Sequence, residues 1–370
     1  MHRRQWLVLA GAAAFGRTGS AAQAQAQAQA QARYEAVIAG VPEFNGVLLV
    51  GHGSDILFSK AMGMADPEAG APMTLETRFE TGSVSKWIAS MVVLKLVDRG
   101  KLALDAPLTD YLPAYPPDSG ARLTLRHLLS HSSGVPNELM AARKADPQLA
   151  FIALDQMEAV RRYASAKLRF APGTQWDYSH SNWLIVKAVV ERAAGRPYRD
   201  CVADWLVSPL GLRNSGIFSG DSSATPGMAI GLAGAGAPFT RRISAMPDYA
   251  AMAGGFYSSA PDLLRLMDAV LGGNLLSRAS SAELMRVIMP AQHYALGGRT
   301  RIEPIAGVAR EAAWEDGSNG GFRLVARRVL ADGISVVVFN NTAMDHQQLG
   351  VLASALMHAA YAAPQQPIVG

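Results

Sequence analysis

The chain has 370 residues, of which 49% are apolar and 17% charged, a length that fits one large domain or two intimately packed ones. Its formal charge of +4 includes Arg3, Arg4 and Arg17 at the N-terminus, unaccompanied there by any acid. The remainder carries about +1, so the basic pI gives no reason to expect a nucleic-acid partner. Cys201 is the single cysteine, which excludes an intramolecular disulfide and reads as a structural thiol.

Met1-His2-Arg3-Arg4-Gln5, an apolar stretch over 6–15 and Gly19-Ser20-Ala21-Ala22 form the basic, apolar and small-residue zones of an export signal. The Arg3-Arg4 pair loosely resembles a twin-arginine signal. No cysteine lies near the cleavage zone, which argues against a lipoprotein anchor. The Ala-Gln tract over 22–32 reads as a low-complexity, disordered linker. Residues 1–32 are therefore set apart as signal and linker, and 33–370 are expected to form one domain. No apolar run after residue 33 has membrane-spanning length. The expected product is an exported protein, periplasmic or secreted, without a membrane span.

Residues 46–50 and 56–62 are apolar strands across a turn rich in Gly, Ser and Asp, which predicts a hairpin. A loop over 63–77 leads to Glu80-Thr81-Gly82-Ser83-Val84-Ser85-Lys86. The apolar run over 87–97 follows, apolar on most faces, which predicts a buried helix stopped at Gly100. Ser83 falls in its first turn with Lys86 three residues on. The hydroxyl and the amine can therefore meet on one face. A serine becomes nucleophilic when a neighbour removes its proton, and burial or a helix N-terminus can lower a lysine pKa enough for that task.

Thr124 is placed to cap a short helix carrying Leu125, Leu128 and Leu129, ended by Ser133-Gly134. His127 and His131 at i and i+4 have a spacing that can bind a metal, but no Glu or third His accompanies them, and they are read as structural. Residues 140–215 are expected to be mainly helical, interrupted at 171–174, with a helix over 183–194 closed by Gly195. Residues 219–240 read as a loop, and Pro261 opens another helix. Strands over 322–329 and 334–339 flank the turn at 330–333, and a helix over 345–361 ends the series. Strands from both chain ends with helices between predict an α/β (α+β) fold. In it an antiparallel sheet is flanked by helices, with an inserted, mainly helical lobe over about 100–250. The cleft between these parts is the expected site.

In this order the motifs resemble those of the serine β-lactamase and penicillin-binding superfamily, in its branch of class C β-lactamases, D-alanyl-D-alanine carboxypeptidases and related esterases. The resemblance spans about 45–345. It rests on Glu80-Thr81-Gly82-Ser83-Val84-Ser85-Lys86, Gly100-Lys101-Leu102, Leu128-Leu129-Ser130-His131-Ser132-Ser133-Gly134, Pro172-Gly173-Thr174, Tyr178-Ser179, Ser208-Pro209-Leu210-Gly211-Leu212 and Ala253-Gly254-Gly255. It implies a β-lactamase/transpeptidase-like fold with Ser83 acylated, Lys86 as its proton partner and Tyr178 as a partly ionised phenol that takes the serine proton. His180 stands where the family's second element has Asn and can donate to a substrate carbonyl. The third element, which the family carries on a sheet strand, aligns with Glu315-Asp316-Gly317, so Glu315 replaces the family's cation, and Glu315 and Gly317 are expected to bind substrate with His180 and Ser318. The oxyanion hole is expected from the backbone N–H groups of Ser83 and Ser318.

A carboxylate at 315 would repel a substrate carboxylate. The expected activity is therefore acyl-enzyme hydrolysis of a small-molecule ester or amide. The alternatives are a β-lactamase or D-alanyl-D-alanine carboxypeptidase acting on β-lactam-like substrates, and a non-catalytic binding protein on the same fold. The chemistry calls for no metal and no cofactor, and the sequence specifies no oligomeric state.

Overall fold

Val47, Leu48, Leu49 and Val50 are all fully buried, so the strand they form, β1 (Gly46–His52), is apolar on both faces. Successive side chains of a strand point to opposite sides. Val47 and Leu49 accordingly enter one core cluster, while Leu48 and Val50 enter a second. β1 pairs with β2 (Asp55–Met62) as the predicted hairpin. The other strands of this sheet are β3 (Arg299–Ile305), β4 (Val308–Asn319), β5 (Phe322–Val329) and β6 (Ile334–Asn340). Their order is β2-β1-β6-β5-β4-β3, antiparallel throughout. The two chain ends thus meet in one sheet, as the pattern of elements predicts.

This computed structural model describes residues 15–362 apart from 235, 237, 244 and 274, with side chains described from residue 24 onward. One face of the sheet is covered by α1 (Phe15–Ala39) and the C-terminal helix, through Tyr34, Ile38, Leu349, Leu352 and Leu356. The other face packs on α2 (Val84–Asp98) and on a helix over Ala260–Leu271, and beyond them lies the helical lobe. The Ala-Gln tract expected to be a disordered linker is helical within α1. Alanine has the highest helix propensity and glutamine costs little, so the repeat needs few tertiary contacts to coil. Tyr34 and Ile38 then dock its end on the sheet. Residues 1–14 of the proposed export signal lie outside the described residues. Among the described residues no helix is long and apolar enough to cross a membrane.

The strand β3 is not foreseen from the sequence, and of β4 only 315–317 is, through the resemblance. Ile302 and Val308 are exposed at 72% and 51%, so this edge of the sheet lacks the two-sided burial that marks β1. The helix at Thr124 does form, with the Thr124 hydroxyl accepting from His127 N at 3.3 Å, as α3 (Leu125–Leu129). It ends at Ser130 rather than at Ser133-Gly134. His131 follows with φ 58°, so His127 and His131 do not share a helix face.

Candidate active site

The small strand Phe79–Glu80 pairs with Phe256–Ser258 and delivers the chain to the start of α2. Gly82 makes the turn with φ 51°, in the left-handed region that favours glycine. A Cβ there would also collide with the backbone of Ser318 at the end of β4. Gly317 is confined in the same way, because a Cβ would strike the Thr81 carbonyl. These close approaches press β4 against the turn that carries Ser83.

Ser83 occupies the N-cap position of α2, and Lys86 lies fully buried one turn on. Lys86 Nζ donates to Ser83 Oγ at 3.1 Å and to the Ala253 carbonyl at 2.7 Å. Tyr178 Oη donates to Ser83 Oγ at 2.8 Å. Burial dominates the charge state of the amine, lowering its pKa from 10.5 to about 7, with Glu315 opposing and Arg299 assisting. The same burial, joined by the charge of Glu315, pushes the Tyr178 phenol upward. The phenol is thus held protonated, and the partly ionised form expected from the resemblance is replaced by a neutral donor. Lys86 becomes the group able to accept a proton near neutral pH.

Tyr178 is held by rings. His131 stacks on it with centroids 4.2 Å apart, Tyr294 meets His131 edge-on at 5.2 Å, and the Lys86 ammonium position lies 5.1 Å from the Tyr178 ring centre. Burial lowers the His131 pKa well below its ordinary value, and its Nδ1 accepts from Ser179 N at 3.0 Å. His131 therefore acts as a neutral packing ring that fixes the backbone beside the phenol.

His180 lines the same cleft as Ser83. Asn137 Nδ2 donates to His180 Nδ1 at 3.4 Å and to the Tyr178 carbonyl at 3.3 Å, while His180 N donates to Asn137 Oδ1 at 3.0 Å. An amide NH2 can only donate, so Nδ1 accepts and Nε2 carries the hydrogen of the neutral ring. Burial holds His180 neutral, lowering its pKa well below the ordinary value.

Ser318 and Asn319 form the opposite lip of the cleft with Gly82. Glu315 does not line it. Its carboxylate is 2% exposed and accepts from Arg299 Nη1 at 2.7 Å, and Arg299 in turn lies over the Tyr294 ring at 5.0 Å. The expectation that Glu315 faces substrate and repels a carboxylate is corrected by this pairing. The anion is turned inward and met by a cation from the neighbouring strand.

Sequence reasoning missed Asn137, Arg299 and Tyr294, and it left His131 as a structural histidine without a partner. Asn137, Arg299 and Tyr294 lie in no motif, His131 lies in one without a stated role, and each acquires its role only when distant segments meet. Among the described residues no group of His, Cys, Asp and Glu side chains could hold a metal ion. Cys201 is buried, with its thiol pKa raised to about 11 by burial.

In sequence, the chain is 36% identical to esterase EstB of Burkholderia gladioli, over 60% of this chain and 64% of that one. It is 26% identical to the D-alanyl-D-alanine-carboxypeptidase/endopeptidase AmpH of Escherichia coli (strain K12), over 65% of this chain and 61% of that one. Each match spans less than two thirds of the relative's own length. In structure, the penicillin binding protein of Bacillus halodurans superposes with a TM-score of 0.73 at 23% identity, covering 88% of this chain and 98% of that one. This likeness shows a shared fold. The beta-lactamase family model matches residues 34–360, and the chain belongs to that family, within the serine β-lactamase and penicillin-binding superfamily.

Proposed function

We propose that this protein is a serine hydrolase that forms an acyl-enzyme on Ser83 and hydrolyses a small ester or amide. The observation that carries this reading is the convergence of Lys86 Nζ and Tyr178 Oη on Ser83 Oγ, at 3.1 and 2.8 Å, beside a cleft. With its pKa lowered to about 7, a large fraction of Lys86 is neutral at neutral pH. In that form its lone pair takes the Oγ proton as Oγ attacks the carbonyl carbon. The backbone N–H groups of Ser83 and Ser318 receive the oxyanion. As the tetrahedral intermediate collapses, the scissile bond breaks and the leaving group takes a proton from the Tyr178 phenol, which Lys86 replenishes. Water repeats the sequence on the acyl-enzyme: its proton passes to Lys86 by the same phenol and Oγ regains a proton on release of the acid. His180 Nε2 donates to the substrate.

The likeness to an esterase supports an ester substrate. The likeness to a D-alanyl-D-alanine-carboxypeptidase/endopeptidase supports a second reading, peptidase or β-lactamase action. The test exposes the protein and its Ser83→Ala variant to a fluorophosphonate probe, a fluorescent penicillin, p-nitrophenyl esters and a chromogenic cephalosporin. Ser83-dependent phosphonate labelling with ester turnover is the expected result. Penicillin labelling or cephalosporin turnover supports the second reading. No Ser83-dependent signal overturns both and leaves a binding protein on this fold. The composition of residues 1–22 supports export to the periplasm or medium, checked by N-terminal sequencing of protein recovered from those fractions.

A further inference from the structure

The cleft beside Ser83 encloses about 680 Å³. One wall is the helix Glu138–Ala145 with Ile243, Ala245 and Met246, and Leu139, Met140, Phe151 and Ile243 make it apolar. The ionisable side chains on it are Arg143, Lys144 and His180, and no carboxylate is among the described lining residues. His180 is neutral by burial, so the cleft is cationic.

Arg143 is the unusual member. Its Nη2 donates to the Ala245 carbonyl at 2.7 Å, and no acid pairs with it among the described residues. Several partly buried cations of this chain have counter-ions, with Arg126 on Asp105 and Glu283, Lys187 on Glu191 and Asp248, and Arg328 on Asp268. Arg323, like Arg143, is bonded to backbone carbonyls without an acid, but it does not line the cleft. Burial lowers the Arg143 pKa, with no carboxylate offsetting it, and its charge is felt at His180. A guanidinium withdrawn from water and left unpaired costs stability. A planar fork that spends one arm on a carbonyl keeps donors for a second partner, and a carboxylate matches their geometry.

We propose that Arg143 is an anion-recognition residue, and that the substrate is an ester or amide with a small apolar body and a carboxylate on the portion lying against the helix Glu138–Ala145. The inference rests on the hydrolase reading above. It places carboxylate recognition on the helical wall, away from the third element on β4 where the sequence resemblance puts it. The apolar residues seat the body of the substrate, and Lys144 at the rim adds charge.

Two ester pairs test it, each differing only in charge: 4-nitrophenyl hydrogen adipate with its methyl ester, and 4-carboxyphenyl butyrate with its methyl ester. The first pair carries the carboxylate on the acyl side and the second on the alcohol side. Wild type is expected to favour the charged member of one pair in kcat/KM, and Arg143→Gln to lower that preference roughly tenfold or more, with Arg143→Lys retaining part of it. The same ratio is read as dissociation constants on the Ser83→Ala background, so recognition is measured even if neither ester is turned over. Absence of every Ser83-dependent signal, phosphonate labelling included, overturns the hydrolase reading. Charged-to-neutral ratios that move less than about twofold in both pairs, in a folded Arg143→Gln protein, overturn this one and leave Arg143 as a tie to the Ala245 carbonyl.

Discussion

Arg299 and Glu315 form an ion pair across neighbouring strands, 2.7 Å long, with the carboxylate 2% exposed. The pair acts on Lys86 from behind the cleft: Glu315 favours the ammonium and so opposes the larger effect of burial, while Arg299 disfavours it and adds to that effect. Position 315 thus bears on the proton balance of the serine's neighbour, whatever substrate occupies the cleft.

That balance has a direction. Proton removal by Lys86 requires the neutral amine, so kcat/KM for an uncharged ester should rise with pH through about 7. Glu315→Gln deletes the anion and keeps Arg299, so the Lys86 pKa falls and the acid limb should move to lower pH by about one unit. A limb that stays in place or moves upward would show that the pair does not reach Lys86.

The stacking of His131 on Tyr178 separates positioning from chemistry. Tyr178→Phe removes the donor to Ser83 and should lower kcat by about 10²–10⁴-fold. His131→Leu leaves the phenol and removes the ring at 4.2 Å and the acceptor for Ser179 N. Its kcat should fall about 10–100-fold with KM changed far less, because the phenol is misplaced rather than lost. Equal kcat in a folded His131→Leu protein would mean that the stack does not position Tyr178.

Glu80 ties the strand before Ser83 to the lip of the cleft. Its carboxylate, 3% exposed, accepts from Ser222 and from Asn319 Nδ2, next to Ser318. Burial raises its pKa from 4.5 to about 8. Between those values the folded state holds a proton that the unfolded chain has released, so stability falls as pH rises across the interval. Glu80→Gln should match wild type near the lower value and exceed it by roughly 3–5 kcal/mol above the upper one. Denaturant unfolding at both ends of the interval measures the difference, and a gap independent of pH would contradict a protonated Glu80.

Much of this architecture is legible in the sequence because the signals are local. Val47 to Val50 announce a strand buried on both faces, Gly100 and Gly195 stop helices, and Ser83 with Lys86 needs only one helical turn to meet. Tyr178 is reachable through motif order. What stays hidden depends on distant segments meeting. Arg299 looks like one of many basic residues until β3 lies beside β4, and Asn137 gains its role only against His180. The reading of Glu315 as a substrate-facing anion failed for the same reason, since a one-dimensional alignment gives its position and not its partner. The Ala-Gln tract differs from its expected disorder because alanine's helix propensity acts whatever the complexity of the repeat.

Lys86 carries the largest stability consequence. Between its folded value of about 7 and its ordinary value of 10.5, the unfolded chain binds a proton that the folded protein does not. Stability therefore rises with pH over that interval, and wild type forfeits up to roughly 5 kcal/mol as the pH falls through it, with no further loss below. Lys86→Met replaces the amine with an apolar stem of similar reach in a fully buried site. It should abolish Ser83-dependent ester turnover and raise the melting temperature at neutral pH, by an amount that shrinks as the pH climbs toward 10.5 and is constant below 7. Thermal unfolding of both proteins across that range reads the effect directly. A melting difference that does not vary with pH would mean that the amine is buried without displacing its proton, and Lys86 could then no longer be the group that takes the proton from Ser83.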